Sequence, residues 1–459
     1  MYVTDSVYLA FATEPAARPG RTPATRRRRI CGRENPSARE ARRMTRDSAA
    51  PEDSERNKPS LFDPFAKGFT DDPYPQYARI RQSAPVHEHP LGFWVVSTYE
   101  DVSTLLRSGA SVELRNVTGP GTPEQDSTAH AALQPIDSMS MLDRDPPDHT
   151  RLRRLVQKAF TPRAISALEP RIRKLTDELL DRMEVAGSVD LVSALAFPLP
   201  FAVIAEMLGT PPTDHARIRE LSGIAVRSLE PVVDPDIMSK VEAAHEELVG
   251  ITAEMIAWKR NHPKDDLLTA LINAEEGGDV LNEEELVAQV LLLYIAGHET
   301  TVNLLASGTV ALLRNPSQMK TLLADRTRVP GAVEEFLRYD SPVQASGRVT
   351  LEPTVLSGVE IPAGSFVMAL LGSANRDERH FGHDAAQLRI DRQNAHHQVS
   401  FGAGPHHCLG AALARLEGRV VFERLLDRFP RLSLAGDVTW NGRINLRGPA
   451  TLPVTVGRR

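Results

Sequence analysis

Cys408 lies in the stretch SFGAGPHHCLG, residues 400–410, and is one of only two cysteines in the 459-residue chain. His406 and His407 stand directly before it, and His396 and His397 lie about ten residues upstream. These residue types admit several chemistries. A zinc site needs spaced ligands of compatible direction, and adjacent histidines seldom both reach one ion. A nucleophilic cysteine needs a base, for which His407 is available, and an oxyanion hole, for which the stretch offers nothing. A lone cysteine is most often an inert core thiol, but that reading does not account for the residues around it. Phe401, Gly404, Cys408 and Gly410 satisfy F-x-x-G-x-x-x-C-x-G, and the helical pattern AALARLEGRVVFERLL follows. A helix start presents unpaired N–H groups and the positive end of the dipole, which favour a thiolate. Glycines at 402, 404 and 410 let the backbone approach a flat ligand or the sulfur itself.

Three other groups of residues carry chemistry. In LLLYIAGHETTVNLLASG, small residues Ala296 and Gly297 precede His298, Glu299 and Thr300 within an apolar helical pattern. A carboxylate and a hydroxyl in such surroundings are costly unless they are used or satisfied. Glu335 and Arg338 stand three apart on one helical face. In DRDPPDHTRLRR a Pro-Pro turn leads into a helix on which His149 and Arg153, at i and i+4, point the same way.

Together these blocks, in this order, resemble the cytochrome P-450 family of haem-thiolate monooxygenases. FGAGPHHCLGAALAR is similar to the family's cysteine loop, which makes Cys408 the iron ligand and His406 a donor to a haem propionate. Phe401, Gly402 and Gly410 are the loop residues that cradle the cofactor, haem b. Ala296-Gly297-x-Glu299-Thr300 resembles the oxygen-activating A-G-x-[DE]-T, with Ala296 and Gly297 flanking O2 and Thr300 and Glu299 relaying protons. His298 fills the variable position and receives no role. Glu335 and Arg338 match a buried structural pair, with Arg392 as third member, although Leu388 and Arg389 stand where the family commonly has Phe-Asp. D-P-P-x-H-x-x-x-R and Arg348 match propionate-binding positions, so His149, Arg153, Arg348 and His406 would hold two carboxylates from separate segments. The resemblance covers about residues 60–459.

The elements that must position these residues are legible in outline. Residues 1–43 carry ten arginines against four acids, or +6, which leaves −12 on the remainder. Residues 1–60 read as a disordered basic extension, and Met44 is an alternative natural start. With Cys31 in that tail, a structural disulfide is not expected and a reducing, cytoplasmic setting is. The acidic body argues against nucleic-acid binding. No apolar run reaches transmembrane length, so no membrane anchor is expected. A strand and helix are predicted over 93–107, a long functional loop over 108–140, and helices from 149 to 340. Asn282 and Glu285 form a capping box that opens a buried helix of roughly 45 Å, ending before Pro316. A small sheet follows Tyr339, a helix runs from Leu409 to about Arg428, and the last thirty residues read as strands. The expected fold is mainly α with a minor β part, a cytochrome P-450 fold forming a single domain over 61–459.

The function the resemblance implies is insertion of one oxygen atom from O2 into an apolar small molecule, by hydroxylation or epoxidation. Electrons would come from a separate ferredoxin or flavodoxin with its reductase, with Arg151, Arg154 and His407 as basic contacts for that donor. Two rival readings are a peroxide-driven haem hydroxylase and a non-catalytic haem-binding sensor. Retention of Glu299 and Thr300 speaks against both. Residues 108–140, 220–240, 292–296 and 343–346 should line the substrate site; they are small and aliphatic and do not select among polyketide, terpenoid, steroid and fatty acid.

Overall fold

The computed structural model describes residues 61–118, 139–158, 160–210, 215–230, 235–276 and 278–457. The expectations about the basic extension, Cys31 and much of 108–140 fall outside them.

Ten helices are needed to place the site: α1 (Tyr74–Ser83), α2 (Tyr99–Arg107), α3 (Asp148–Gln157), α4 (Glu169–Ala186), α5 (Pro198–Leu208), α6 (His215–Ala225), α7 (Pro235–Asn261), α8 (Glu283–Arg314), α9 (Val329–Tyr339) and α10 (Ala411–Arg428). The strands are β1 (Val86–Glu88), β2 (Trp94–Val96), β3 (Ser188–Asp190), β4 (Ser346–Val349), β5 (Phe366–Ala369), β6 (Ser433–Leu434) and β7 (Pro453–Thr455).

Helix α8 is the axis of the molecule. Its start is the capping box expected from the sequence: Asn282 accepts from Glu285 N at 2.8 Å and Glu285 accepts from Asn282 N at 3.0 Å. Leu286, Val290, Val302, Leu305 and Val310 lie on different sides of it and are all buried, because α5, α6, α7, α9 and α10 pack around it. The buried Gln289 is satisfied by binding Met141 N and Met139 O, each at 3.0 Å, which ties the chain before α3 to this axis. Gly308 lets α10 and α9 close on α8: a Cβ there would lie 2.7 Å from Phe422 and 3.0 Å from Phe336.

One sheet has the order β1-β2-β5-β4, with β2 parallel to β5 and both outer pairs antiparallel. Its register sets Arg348 opposite Val367. A second sheet, β6-β7-β3, joins the C-terminal end to the turn after α4. Strand β3 and the π-helical turn Val192–Ala196 interrupt a stretch expected to be overwhelmingly helical. Three residues are too few to show a period of two, and β3 exists only through its pairing with β7.

The buried ion pair seen in the sequence ties α9 to the chain that leads into the cysteine loop. Glu335 and Arg338, both fully buried, meet at 2.7 and 2.8 Å. Arg338 also donates to the carbonyls of Asn375, Ala385 and Gln387. Arg392 joins the pair through Glu335 at 3.3 Å and Asp384 at 2.9 Å, so the departure at 388–389 does not displace it. With every N–H proton of the Arg338 and Arg392 guanidiniums engaged, these charges hold an irregular segment in one shape.

Candidate functional site

The cysteine loop is built by two left-handed glycines. Gly402 and Gly404 have φ of +68° and +69°, values that cost glycine nothing. Gly404 also abuts the end of α2, where a Cβ would lie 3.0 Å from Arg107 Cα. These turns bring Cys408 N within 2.8 Å of Phe401 O, closing the loop just before Gly410 and α10. Backbone N–H groups of Gly410 and Ala411 point at the sulfur and favour its charged form, while the surrounding protein, the larger influence, pushes the thiol above its ordinary pKa. The Cys408 side chain is exposed. Metal coordination holds such a sulfur as thiolate regardless of burial.

The histidines of this region do not converge on the sulfur. His397 Nδ1 meets His380 Nε2 at 3.1 Å, and His396 Nδ1 meets Gln393 O. His407 is exposed. His406 turns instead to His149 of α3, with ring centroids 4.1 Å apart.

That contact belongs to a convergence of four donors. Burial first, then His149, Arg348 and Arg153 together, drive the His406 pKa down to about 3. His149 is buried, its pKa lowered by burial and by Arg153, and its Nε2 has no partner among the described residues. Arg153 reaches His407 O at 2.6 Å. Arg348 is buried, and burial lowers its pKa to about 10 against the pull of Asp145. Asp145 is itself engaged by Ser111 and by Val112 N, and among the described residues Arg348 Nη1 donates to Ser346 Oγ and Gly347 O. Two guanidiniums beside imidazoles whose protonation they oppose fit an anionic ligand, and a pair of propionates on a flat haem suits donors drawn from α3, β4 and the loop. Gly410 leaves room beside the sulfur, since a Cβ there would stand 3.9 Å from Sγ.

On α8 the burial that holds over most of 286–312 breaks at one turn. Ala296 is exposed, and Ile295, Gly297 and Thr300 are half-buried, although residues on both sides are buried. This turn therefore borders an opening in the packing around α8. Thr300 Oγ1 donates to Ala296 O at 3.0 Å and Thr301 to Gly297 O at 3.3 Å, so hydroxyls share the carbonyls of the helix ladder here. Gly297 admits α5, because a Cβ would come 2.8 Å from Ile204. His298 faces away, its Nε2 3.2 Å from Phe197 O and its ring edge-on to Phe197 and Phe201, and burial lowers its pKa. Assigning it no chemistry agrees with this placement.

Glu299 is buried and ion-paired with Arg443 at 2.6 Å. The sequence reading missed Arg443, which lies 144 residues away in an irregular segment with no motif. Arg151, expected as a contact for an electron donor, is engaged by Glu285 at the start of α8. Among the described residues no helix is long and apolar enough to cross a membrane.

The family model described as Cytochrome P450 matches residues 234–439. Cytochrome P450 107B1 of Saccharopolyspora erythraea is 41% identical over 409 residues, covering 86% of this chain and 97% of its own. The Vitamin D(3) 25-hydroxylase of Pseudonocardia autotrophica is 41% identical over 406 residues, covering 86% and 97%. Among solved structures, the Bacillus subtilis bacillaene polyketide synthase cytochrome P450 PksS superposes with a TM-score of 0.78 at 36% identity, over 86% of this chain and all of that one.

Proposed function

The chain belongs to the cytochrome P450 family, oxidoreductases that bind haem b through a cysteine thiolate, and on that premise we propose that Cys408 is the iron ligand and Thr300 with Glu299 the proton relay of a monooxygenase acting on an apolar small molecule. One atom of O2 enters the substrate; the other leaves as water, with two electrons from a separate ferredoxin or flavodoxin and two protons through the relay. The bound haem supplies the oxygen-activating redox chemistry, which the Cys408 thiolate promotes by electron donation.

The observation that carries this reading is the convergence of His149, Arg153, Arg348 and His406 beside the cysteine loop, with His149 Nε2 left for an acceptor. These donors fix the carboxylate edge of a flat ligand. Phe401, stacked under Arg415 at 4.6 Å, and Gly402 frame the loop behind the sulfur. The opening at Ala296 and Gly297 gives O2 a place beside Thr300, and the Thr300 hydroxyl can exchange its bond to Ala296 O for a proton transfer into that opening. Two core clusters join residues 62–117 to 343–403 and a third runs from Met141 to Val456, which supports one domain over 61–459. The 25-hydroxylase and polyketide-pathway relatives favour a bulky apolar substrate of polyketide or steroid type.

In the reduced protein, carbon monoxide should produce the red-shifted Soret band of thiolate ligation; a histidine-type band would remove Cys408 from its role. Thr300→Ala should keep haem and carbon monoxide binding while sending several-fold more of the electrons to hydrogen peroxide. Unchanged coupling would place the relay elsewhere. A spectral-shift screen across polyketides, terpenoids, steroids and fatty acids identifies the substrate class.

A further inference from the structure

Arg443, the partner of Glu299, belongs to segment 441–446, which is gripped from three directions. The ion pair between Arg443 Nη1 and Glu299 Oε1, at 2.6 Å, joins two side chains that are only 16% and 11% exposed. The next three residues, Ile444, Asn445 and Leu446, all donate backbone N–H groups to one carboxylate, Glu230, at 2.6, 3.0 and 3.1 Å. Glu230 is buried and follows the 3₁₀ turn Val226–Leu229, within the stretch assigned to the substrate wall. From the third side, Leu446 bridges to Val343, and Asn445 accepts from Gln344 N at 2.8 Å and Ala345 N at 3.0 Å. These residues belong to another expected wall segment. Four consecutive residues thus connect two parts of the wall to the relay acid.

We propose that Arg443 is a positioning residue for proton delivery, and that Glu230 links its setting to the substrate wall. The inference rests on the relay reading of Glu299 and Thr300. A guanidinium at bonding distance in a nearly water-free place selects one orientation of the carboxylate, since the pair loses more by separating there than at the surface. Glu299 precedes Thr300 on α8 and points to the loop, while Thr300 borders the opening at Ala296. The orientation of Glu299 therefore follows Arg443. Arg443 cannot move without its neighbours at 444–446, whose N–H groups are held by charge-assisted bonds to Glu230. A substrate that displaces the wall displaces the loop, and the loop re-aims the acid.

The test uses the holoenzyme with a surrogate ferredoxin and reductase, without added substrate. It reads the share of NADPH electrons released as hydrogen peroxide rather than water. Arg443→Ala should raise that share at least twofold, Arg443→Lys should restore it to near wild type, and Glu230→Gln should raise it in the same direction. Hydrogen exchange at the amides of 444–446 should quicken at least tenfold in Glu230→Gln. A purely structural role would move exchange and leave the partition alone. That result, fast amides in Glu230→Gln with a wild-type peroxide share, overturns the link to the wall. A wild-type share in Arg443→Ala, or in Arg443→Gln where the alanine variant does not retain haem, overturns the positioning role. If Thr300→Ala and Glu299→Gln also leave the share unchanged, the relay reading itself fails, which the same assay distinguishes.

Discussion

His406 shows how much a single side chain in this site depends on its ligand. With His149, Arg348 and Arg153 around it and burial against it, its pKa falls to about 3, so it stands neutral in the protein alone. A propionate beside it reverses the balance, and one hydrogen bond to such a charged group is worth about 1.5–3 kcal/mol. His406→Ala should therefore speed haem loss by roughly ten- to a hundredfold while leaving the thiolate carbon monoxide band intact. Haem transfer to excess apomyoglobin, followed by absorbance, measures this; an unchanged rate would remove His406 from the propionate site. The loop itself was legible because Cys408, His406 and the glycines lie within eleven residues, and a local loop writes its geometry into local spacing. Arg443 was not. Its partner Glu299 is 144 positions away, and an arginine in NGRINLRG carries no period or turn signal pointing to α8.

At the scale of one element, α10 carries a second feature that periodicity alone did not raise. Glu417 sits on its buried face, has an Oε2 without a partner among the described residues, and has its pKa raised by burial from 4.5 to about 8. The folded chain keeps this acid protonated where the unfolded chain ionises, so the folded state binds the extra proton. Its contribution to stability therefore falls as pH rises between about 4.5 and 8, by about 1.4 kcal/mol per pH unit, and is level above that. Glu417→Gln removes the titration. Urea unfolding of both proteins at pH 5.5 and pH 8 should show the variant gaining about 3 kcal/mol on the wild type between the two conditions. Equal differences at both pH values would mean that Glu417 is not held neutral. Elements differ in how openly they show themselves. Helix α8 announced its start through Asn282 and Glu285 and its burial through apolar residues on every side, whereas β3 and the π-helical turn at Val192–Ala196 are products of packing against β7 and α8. Even in α8 the break in burial at Ala296 was visible only as a run of small and polar residues.

Across the whole molecule, the proposed cofactor site draws on regions that are far apart in sequence and held by different means. The 375–392 chain is fixed without any ligand, because Glu335, Arg338 and Arg392 satisfy one another and the carbonyls around them. His149 and Arg153 on α3, Arg348 on β4 and His406 on the cysteine loop have the opposite character: the two guanidiniums oppose protonation of the imidazoles, and His149 Nε2 is unpaired among the described residues. Ligand binding to the folded state alone stabilises it, by about 4 kcal/mol when the free ligand is a thousandfold above its Kd. Haem extraction should accordingly lower the melting temperature by several degrees, and unevenly. Hydrogen exchange in the apoprotein should quicken most in α3, in β4 and in 400–410, while the amides of α9 stay close to their protection in the holoprotein. Scanning calorimetry and exchange mass spectrometry on the two forms read both effects. Loss of protection spread evenly over α9 and the site would show that the ion-pair network depends on the cofactor, and that the donors are not the part of the fold under electrostatic strain.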